Sequence, residues 1–181
     1  MDSLRRLVVP LLFLLVVRAP ALAQAAEPGP HPPNVVGFKA GPMVVLEPTE
    51  DRLATGTVGF VGVFYEREVL PQWIDLEITV PVALGRRGNE AEVFFPLDLH
   101  VKKPFHPGPR FAPYVGLGPA LDVFVAPELK VMAGGSLALG TYLWPRHAHV
   151  GFDVDLDYNV LEVDGRAAHE FLLAFGPIWH W

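Results

Sequence analysis

Apolar residues fall on every second position in eight separate stretches of this chain, and that period of two leaves little besides β-sheet open to it. The clearest stretch is Trp73–Leu84, where Ile74, Leu76, Ile78, Val80, Val82 and Leu84 share one face and Asp75, Glu77 and Thr79 the other. Ala91–Lys102 sets Ala91, Val93, Phe95, Leu97, Leu99 and Val101 against Glu92, Asp98, His100 and Lys102. In His149–Leu161, Val150, Phe152, Val154, Leu156, Tyr158 and Val160 alternate with Asp153, Asp155, Asp157 and Asn159. Phe111–Val123, Lys130–Trp144 and Ala168–Trp181 repeat the rule, with small residues such as Ala112, Gly116, Gly134 and Ser136 opposite their bulky faces.

Two earlier stretches are weaker. Val35–Leu46 opposes Val36, Phe38, Ala40, Val44 and Leu46 to Gly37, Lys39 and Gly41. Thr55–Arg67 is apolar on both faces, Val58, Phe60 and Phe64 against Val61, Val63 and Tyr65, so alternation leaves its orientation open. The connections are short and rich in turn formers: Glu47–Ala54, Glu68–Gln72, Gly85–Asn89, Pro104–Pro109, Ala126–Leu129, Pro145–Ala148 and Glu162–Ala167, the last holding Asp164-Gly165. Connections this short make neighbouring strands antiparallel, since a parallel crossover needs about a dozen residues or more. The expectation is an eight-stranded up-and-down meander.

The start of the chain reads as an address. Arg5 and Arg6 precede the apolar run Leu7–Val17, and Ala21-Leu22-Ala23 follows, the charged, apolar, small-residue order of a secretory signal peptide. The run is too short for a spanning helix, which needs about 20 residues. Residues 1–23 are therefore the expected signal, 24–34 a proline-rich leader and 35–181 the folded domain. Cleavage after Ala23 leaves 11 basic and 19 acidic residues, a net charge of −8, which speaks against nucleic-acid binding. The chain has no cysteine, which excludes disulfides, thiolate metal sites and a lipid anchor on cysteine.

Eight alternating antiparallel strands suit a soluble sandwich, a lipocalin-like cup or a membrane barrel. The stretches run longer than the usual globular strand of about 5–6 residues and meet the requirement of about 9–11 tilted residues for crossing a bilayer. Their bulky faces suit lipid. The opposite faces, single charges among Gly, Ala and Ser, suit a narrow interior. There the acids Asp75, Glu77, Asp98, Asp122, Asp153, Asp155 and Asp157 are expected to face Lys39, His100, Lys102, Arg110 and Lys130, because buried charges need partners. Closure removes the unpaired edges that hydrocarbon cannot satisfy. Tyr158, Trp144, Trp179 and Trp181, near strand ends, suit interfacial aromatic girdles.

The end of the chain is the most specific signal. Leu173, Phe175, Pro177, Trp179 and Trp181 alternate to an aromatic last residue, and Pro113-Tyr114-Val115-Gly116-Leu117-Gly118-Pro119-Ala120 is similar to the Tyr-x-Gly-x-Gly strands of small outer-membrane barrels. With the signal and the strand count, the chain resembles the eight-stranded OmpA/OmpX-like barrel family. The resemblance implies an all-β, eight-stranded antiparallel up-and-down transmembrane β-barrel in a Gram-negative outer membrane, with both termini in the periplasm. Turns Glu68–Gln72, Pro104–Pro109 and Pro145–Ala148 would then be periplasmic, and the other four connections external. It also implies outer-membrane lipids as surroundings, recognition of the C-terminal strand by the barrel-assembly machinery, and a monomer.

Candidate chemistry is sparse, and no catalytic, cofactor-binding or metal residue is assigned. Asp153-x-Asp155-x-Asp157 has the spacing of a calcium loop, but Tyr158 stands where such a loop needs Gly, and the alternation makes it a strand face. His147-x-His149 lacks an identifiable third ligand. The one serine beyond the signal, Ser136, would need a base from His100, His149 or His169 and an acid such as Glu170. Lipid A deacylase barrels keep Ser and His together on one lipid-facing strand, and His147-Ala148-His149-Val150 has no serine. An interior of eight strands is filled by side chains, so a charge network plugs it more simply than it conducts. The expected role is therefore non-enzymatic and structural, in envelope maintenance. The alternatives are a lipid-modifying barrel enzyme and a periplasmic lipocalin-like binder of an apolar ligand.

Overall fold

A meander of eight strands satisfies every backbone donor and acceptor only if its first strand meets its last, and here it does. The computed structural model describes residues 34–48, 53–87, 90–105, 110–145 and 149–181. They form β1 (Asn34–Pro48), β2 (Leu53–Leu70), β3 (Ile74–Arg87), β4 (Glu90–Pro104), β5 (Phe111–Ala126), β6 (Lys130–Leu143), β7 (Val150–Val163) and β8 (Arg166–His180). Each pairs antiparallel with its sequence neighbours, and β1 pairs with β8 to close the barrel. The expected signal 1–23 and the leader up to residue 33 lie outside the described residues. Asn34 already belongs to β1, and its Oδ1 accepts a hydrogen bond from the Tyr65 hydroxyl at 2.8 Å.

Several strands extend past their expected ends, because the connections are as tight as the turn residues permit. Between β7 and β8 only Asp164 and Gly165 intervene, with φ of 50° and 77°. Positive φ at both central positions matches the twist of the flanking strands, and Asp-Gly is the sequence that tolerates it. The start of β1 and the end of β8 meet at one rim, here the near rim, where Val35 pairs with His180. The far rim carries the hairpin at Asp164-Gly165.

Glycines permit the curvature. A Cβ on Gly118 would stand 1.7 Å from the carbonyl oxygen of Leu99, and one on Gly176 would stand 1.8 Å from that of Phe38. At both points a strand leans over its neighbour more closely than any side chain allows, which is how a small barrel turns its corners.

The faces lie as the alternation predicts. Ile78, Leu117, Phe152 and Phe175 are 50%, 62%, 54% and 60% exposed outside, while Asp75, Asp98 and Asp155 are buried inside. A lipocalin-like cup needs the reverse arrangement and is excluded. For β2, which alternation left open, Val61 and Val63 face out and Phe60, Phe64 and Glu66 face in. Glu66 is the physical reason, since only the interior offers it a lysine.

Inside, apolar side chains close both ends. Met43, Phe60, Phe94, Phe124, Leu161 and Leu172 fill the far end. Val35, Ala112, Trp144 and Ile178 fill the near end, beside Tyr114, Tyr142 and Phe64. Trp144 thus departs from the expected girdle. It points inward and packs edge-on against His180 at 4.8 Å, with its backbone N–H donating to Arg110 O at 2.9 Å. Trp179 and Trp181 do lie outside, Trp179 edge-on to Phe38 at 5.9 Å and Trp181 stacked on Tyr65 at 6.4 Å.

Candidate functional site

Period two on β1, β3, β4 and β7 aims Lys39, Glu77, Lys102 and Asp155 at the same interior, and the barrel is narrow enough that they meet. Glu77 is the hub. Its carboxylate accepts from Lys39 Nζ at 3.0 Å, from Lys102 Nζ at 2.6 Å and from the Thr79 hydroxyl at 3.1 Å. Lys39 also bonds to Asp155 and lies 3.4 Å from Asp153. Lys102 lies 3.3 Å from Glu66 and donates to the Tyr142 hydroxyl at 2.9 Å, and that hydroxyl donates in turn to Glu66. The Tyr114 hydroxyl sits 3.0 Å from Asp153 and 3.2 Å from Asp155.

The aromatic rings do more than carry hydroxyls. Lys39 Nζ lies 4.6 Å from the Phe64 ring centroid, and Lys102 Nζ lies 3.9 Å from that of Tyr114. Desolvated cations gain from such ring faces. Each ammonium is therefore wrapped by carboxylates and π-faces, the condition under which a buried charge can be tolerated.

Two of the five expected cations stay away from this belt. Arg110 is exposed on the near-rim connection. Lys130 reaches Glu47 at 3.4 Å near the far rim, both partly open to solvent. Both sit at strand ends, where water solvates a charge more cheaply than the lumen does.

The structure brings Ser136 and His100 together, with Oγ 2.7 Å from Nε2. His100 Nδ1 faces Glu77 Oε1 at 3.8 Å, so the order is that of nucleophile, base and acid. The acid contact exceeds hydrogen-bond length, and Glu77 is already engaged by two lysines and a threonine. Both Ser136 and His100 are buried. The other candidates do not join them. His169 faces outward with Nδ1 2.8 Å from the Tyr158 hydroxyl, while Glu170, the next residue, points inward, as period two requires. His149 lies at the near rim beside the His180 ring, 5.1 Å between centroids. His147 lies outside the described residues. Asp153, Asp155 and Asp157 form an inward ladder on β7, not a loop. Among the described residues no three His, Asp or Glu side chains are placed to hold a metal unaided.

A second polar group joins Glu170, Asp122 and Asn159, which the sequence names separately without bringing them together. Glu170 is buried with its Oε2 accepting from Asn159 Nδ2 at 3.3 Å, and the Asp122 carboxyl lies against it. The available signal was parity: Glu170 shares its face with Ala168, Leu172 and Ala174, opposite Phe171 and Leu173. The same signal marks Glu66 once its neighbour Tyr65 is read as outward.

The exterior completes the picture. A band of Val, Leu, Ile and Phe surrounds the barrel between the aromatic residues of its rims, and every strand meets two partners, so no backbone edge opens onto that band. This is a surface made for acyl chains. No family model matches the chain, and no curated protein matches it in sequence. Among solved structures it is similar to Neisserial surface protein A, with 11% identity and a TM-score of 0.62, covering 82% of this chain and 97% of that one. It is also similar to the outer membrane protein OprG from Pseudomonas aeruginosa, with 12% identity and a TM-score of 0.53, covering 83% and 98%. The fold is that of the eight-stranded outer-membrane barrels. For an outer-membrane barrel the connections here are brief. Where both flanking strands are fully described the far rim offers little more than a turn, as at Asp164-Gly165.

Proposed function

We propose that this outer-membrane barrel is a non-enzymatic, non-conducting structural protein of a Gram-negative envelope, with its near rim in the periplasm. The observation that carries the reading is the interior: a belt of ion pairs closed above and below by buried apolar side chains. Among the described residues, charged groups in contact and apolar plugs occupy the lumen, which supports a filled interior over a conducting or substrate-binding one. The lipid-facing band supports outer-membrane lipids as its surroundings, and the outward Leu173, Phe175, Trp179 and Trp181 suit recognition by the barrel-assembly machinery. A barrel whose strands all have partners needs no second copy, so a monomer is the expected state. Reconstitution into planar bilayers tests the central point, with no ion conductance expected. Stepwise single-channel currents would refute it. Deletion of the protein should raise sensitivity to detergents without changing the lipid profile.

The Ser136–His100 contact favours one other reading, a lipid-modifying enzyme. Replacing Ser136 by Ala separates the two. A lipid profile that changes in that variant, with the barrel folded, would support the enzyme.

A further inference from the structure

The two rims differ in charge. Among the described residues, and histidines aside, Arg67, Lys103 and Arg110 stand at the near rim against a single acid open to water, Glu68. The far rim is mixed, with Glu90, Glu128, Glu162 and Asp164 exposed beside its basic residues.

Two of the near-rim cations share one patch of the outer wall. Arg67 lies outward on β2 opposite Leu76 of β3, and Leu76 lies opposite Val101 of β4. Lys103 is the next outward residue of β4 after Val101. Its ammonium reaches past the start of β3 to the β2–β3 turn, where it donates to Gln72 O at 3.0 Å and lies 4.3 Å from the Trp73 ring centroid. The strands of Arg67 and Lys103 are two spacings apart, about 10 Å, and Lys103 leans into the gap between them.

The turn is shaped to hold this arrangement. The Trp73 N–H donates to Leu70 O at 2.9 Å, and the Gln72 N–H donates to the Glu68 carboxylate while Gln72 takes a φ of 63°. The open acid is therefore engaged by the turn backbone. Among the described residues neither Arg67 nor Lys103 has a carboxylate within ion-pair distance, whereas Lys130 at the far rim has Glu47. An ammonium carries three N–H donors, and Gln72 O and the indole face leave at least one open. Just inside the pair the apolar band begins, with Ile78 and Val101 exposed.

We propose that Arg67 and Lys103 form a site for the phosphate of an anionic glycerophospholipid, with its headgroup against Trp73 and its acyl chains along Leu76, Ile78 and Val101. The inference deepens the reading above and rests on it for the near rim lying in the periplasmic leaflet. Guanidinium and ammonium groups bind phosphate oxygens through charge-assisted hydrogen bonds. An exposed indole at the same level suits the boundary between headgroups and chains. A free phosphate would leave the apolar half of the patch unused.

All four tryptophans of the chain lie toward the near rim, so a quencher carried by lipid reads the lipid bound there. The test refolds the full chain into phosphatidylcholine vesicles doped with phosphatidylglycerol or phosphatidylcholine brominated near the top of the acyl chains. Wild type should prefer phosphatidylglycerol by about fivefold or more, and R67Q/K103Q should bring that preference below about twofold. R110Q, outside the patch, should keep it. Equal quenching by the two lipids in wild type overturns the site, as does an unchanged preference in R67Q/K103Q. Loss in R110Q as large as in R67Q/K103Q also overturns it, because the attraction would then be diffuse charge. Inorganic phosphate should not displace the lipid, and displacement would assign the site to a free anion instead. Should the double variant fail the gel-shift test for folding, R67Q and K103Q singly decide, each losing part of the preference. The vesicles offer one lipid to both rims, so a conducting barrel that keeps its preference would refute the reading above and leave this site standing.

Discussion

Replacing Lys39 by Met probes the charged belt directly. The apolar stem of Met fills much of the same space, so the change removes the ammonium and little packing. Asp155 loses its lysine, Glu77 loses one of two, and Asp153 loses a neighbour at 3.4 Å. Breaking a buried ion pair by deleting one partner costs about 3–5 kcal/mol, because the remaining charge stays desolvated. Typical folding stabilities are about 5–15 kcal/mol, so K39M removes a large fraction. With a urea dependence of about 2 kcal/mol per molar, the unfolding midpoint should fall by about 2 M. The assay is urea titration in detergent micelles, read by the gel shift of folded against unfolded barrel and by tryptophan fluorescence. Adding Asp155→Asn to K39M removes one of the stranded charges and should restore about 1–3 kcal/mol. A K39M barrel within about 0.5 kcal/mol of wild type would refute the reasoning. It would mean that water enters the belt freely and that the lumen is not sealed.

Three further outcomes follow from the geometry. Gly118→Ala places a methyl 1.7 Å from the Leu99 carbonyl oxygen, so folded protein in a refolding gel-shift assay should be largely lost. Leu117→Arg, on the lipid face near mid-strand, should cost about 2–4 kcal/mol in vesicles, and a null effect there would argue against a bilayer around β5. Ser136→Ala deletes one hydrogen bond to His100 and should cost about 1 kcal/mol by urea titration, with no change in lipid composition by mass spectrometry.

Much of the site was legible before the fold was known. Lys39, Lys102, Asp75, Glu77, Asp98, Asp122 and the β7 ladder all lie inward where alternation predicts. Arg110 and Lys130 were misplaced for a shared reason: both sit beside turns, where parity says which way a side chain starts but not whether it ends in water. Trp144 was misassigned for a related one. Its position near a strand end suggested a girdle, while its parity with the inward Tyr142 aims it into the barrel.

The amino-acid sequence alone determined the strand count, the antiparallel order and which face of most strands meets lipid. Each follows from local rules, a period of two and turns too short for a crossover. It did not determine the orientation of β2, nor that Glu77 would be the residue shared by both lysines, nor that Ser136 would meet His100. Those depend on which strands lie opposite across the lumen, a matter of closure and stagger among residues far apart in the chain. Phenylalanine makes the point for β2. Phe60 and Phe64 look outward on any hydropathy scale, yet the barrel spends one on its far-end plug and the other beneath two lysines. Only the assembled interior supplies those partners.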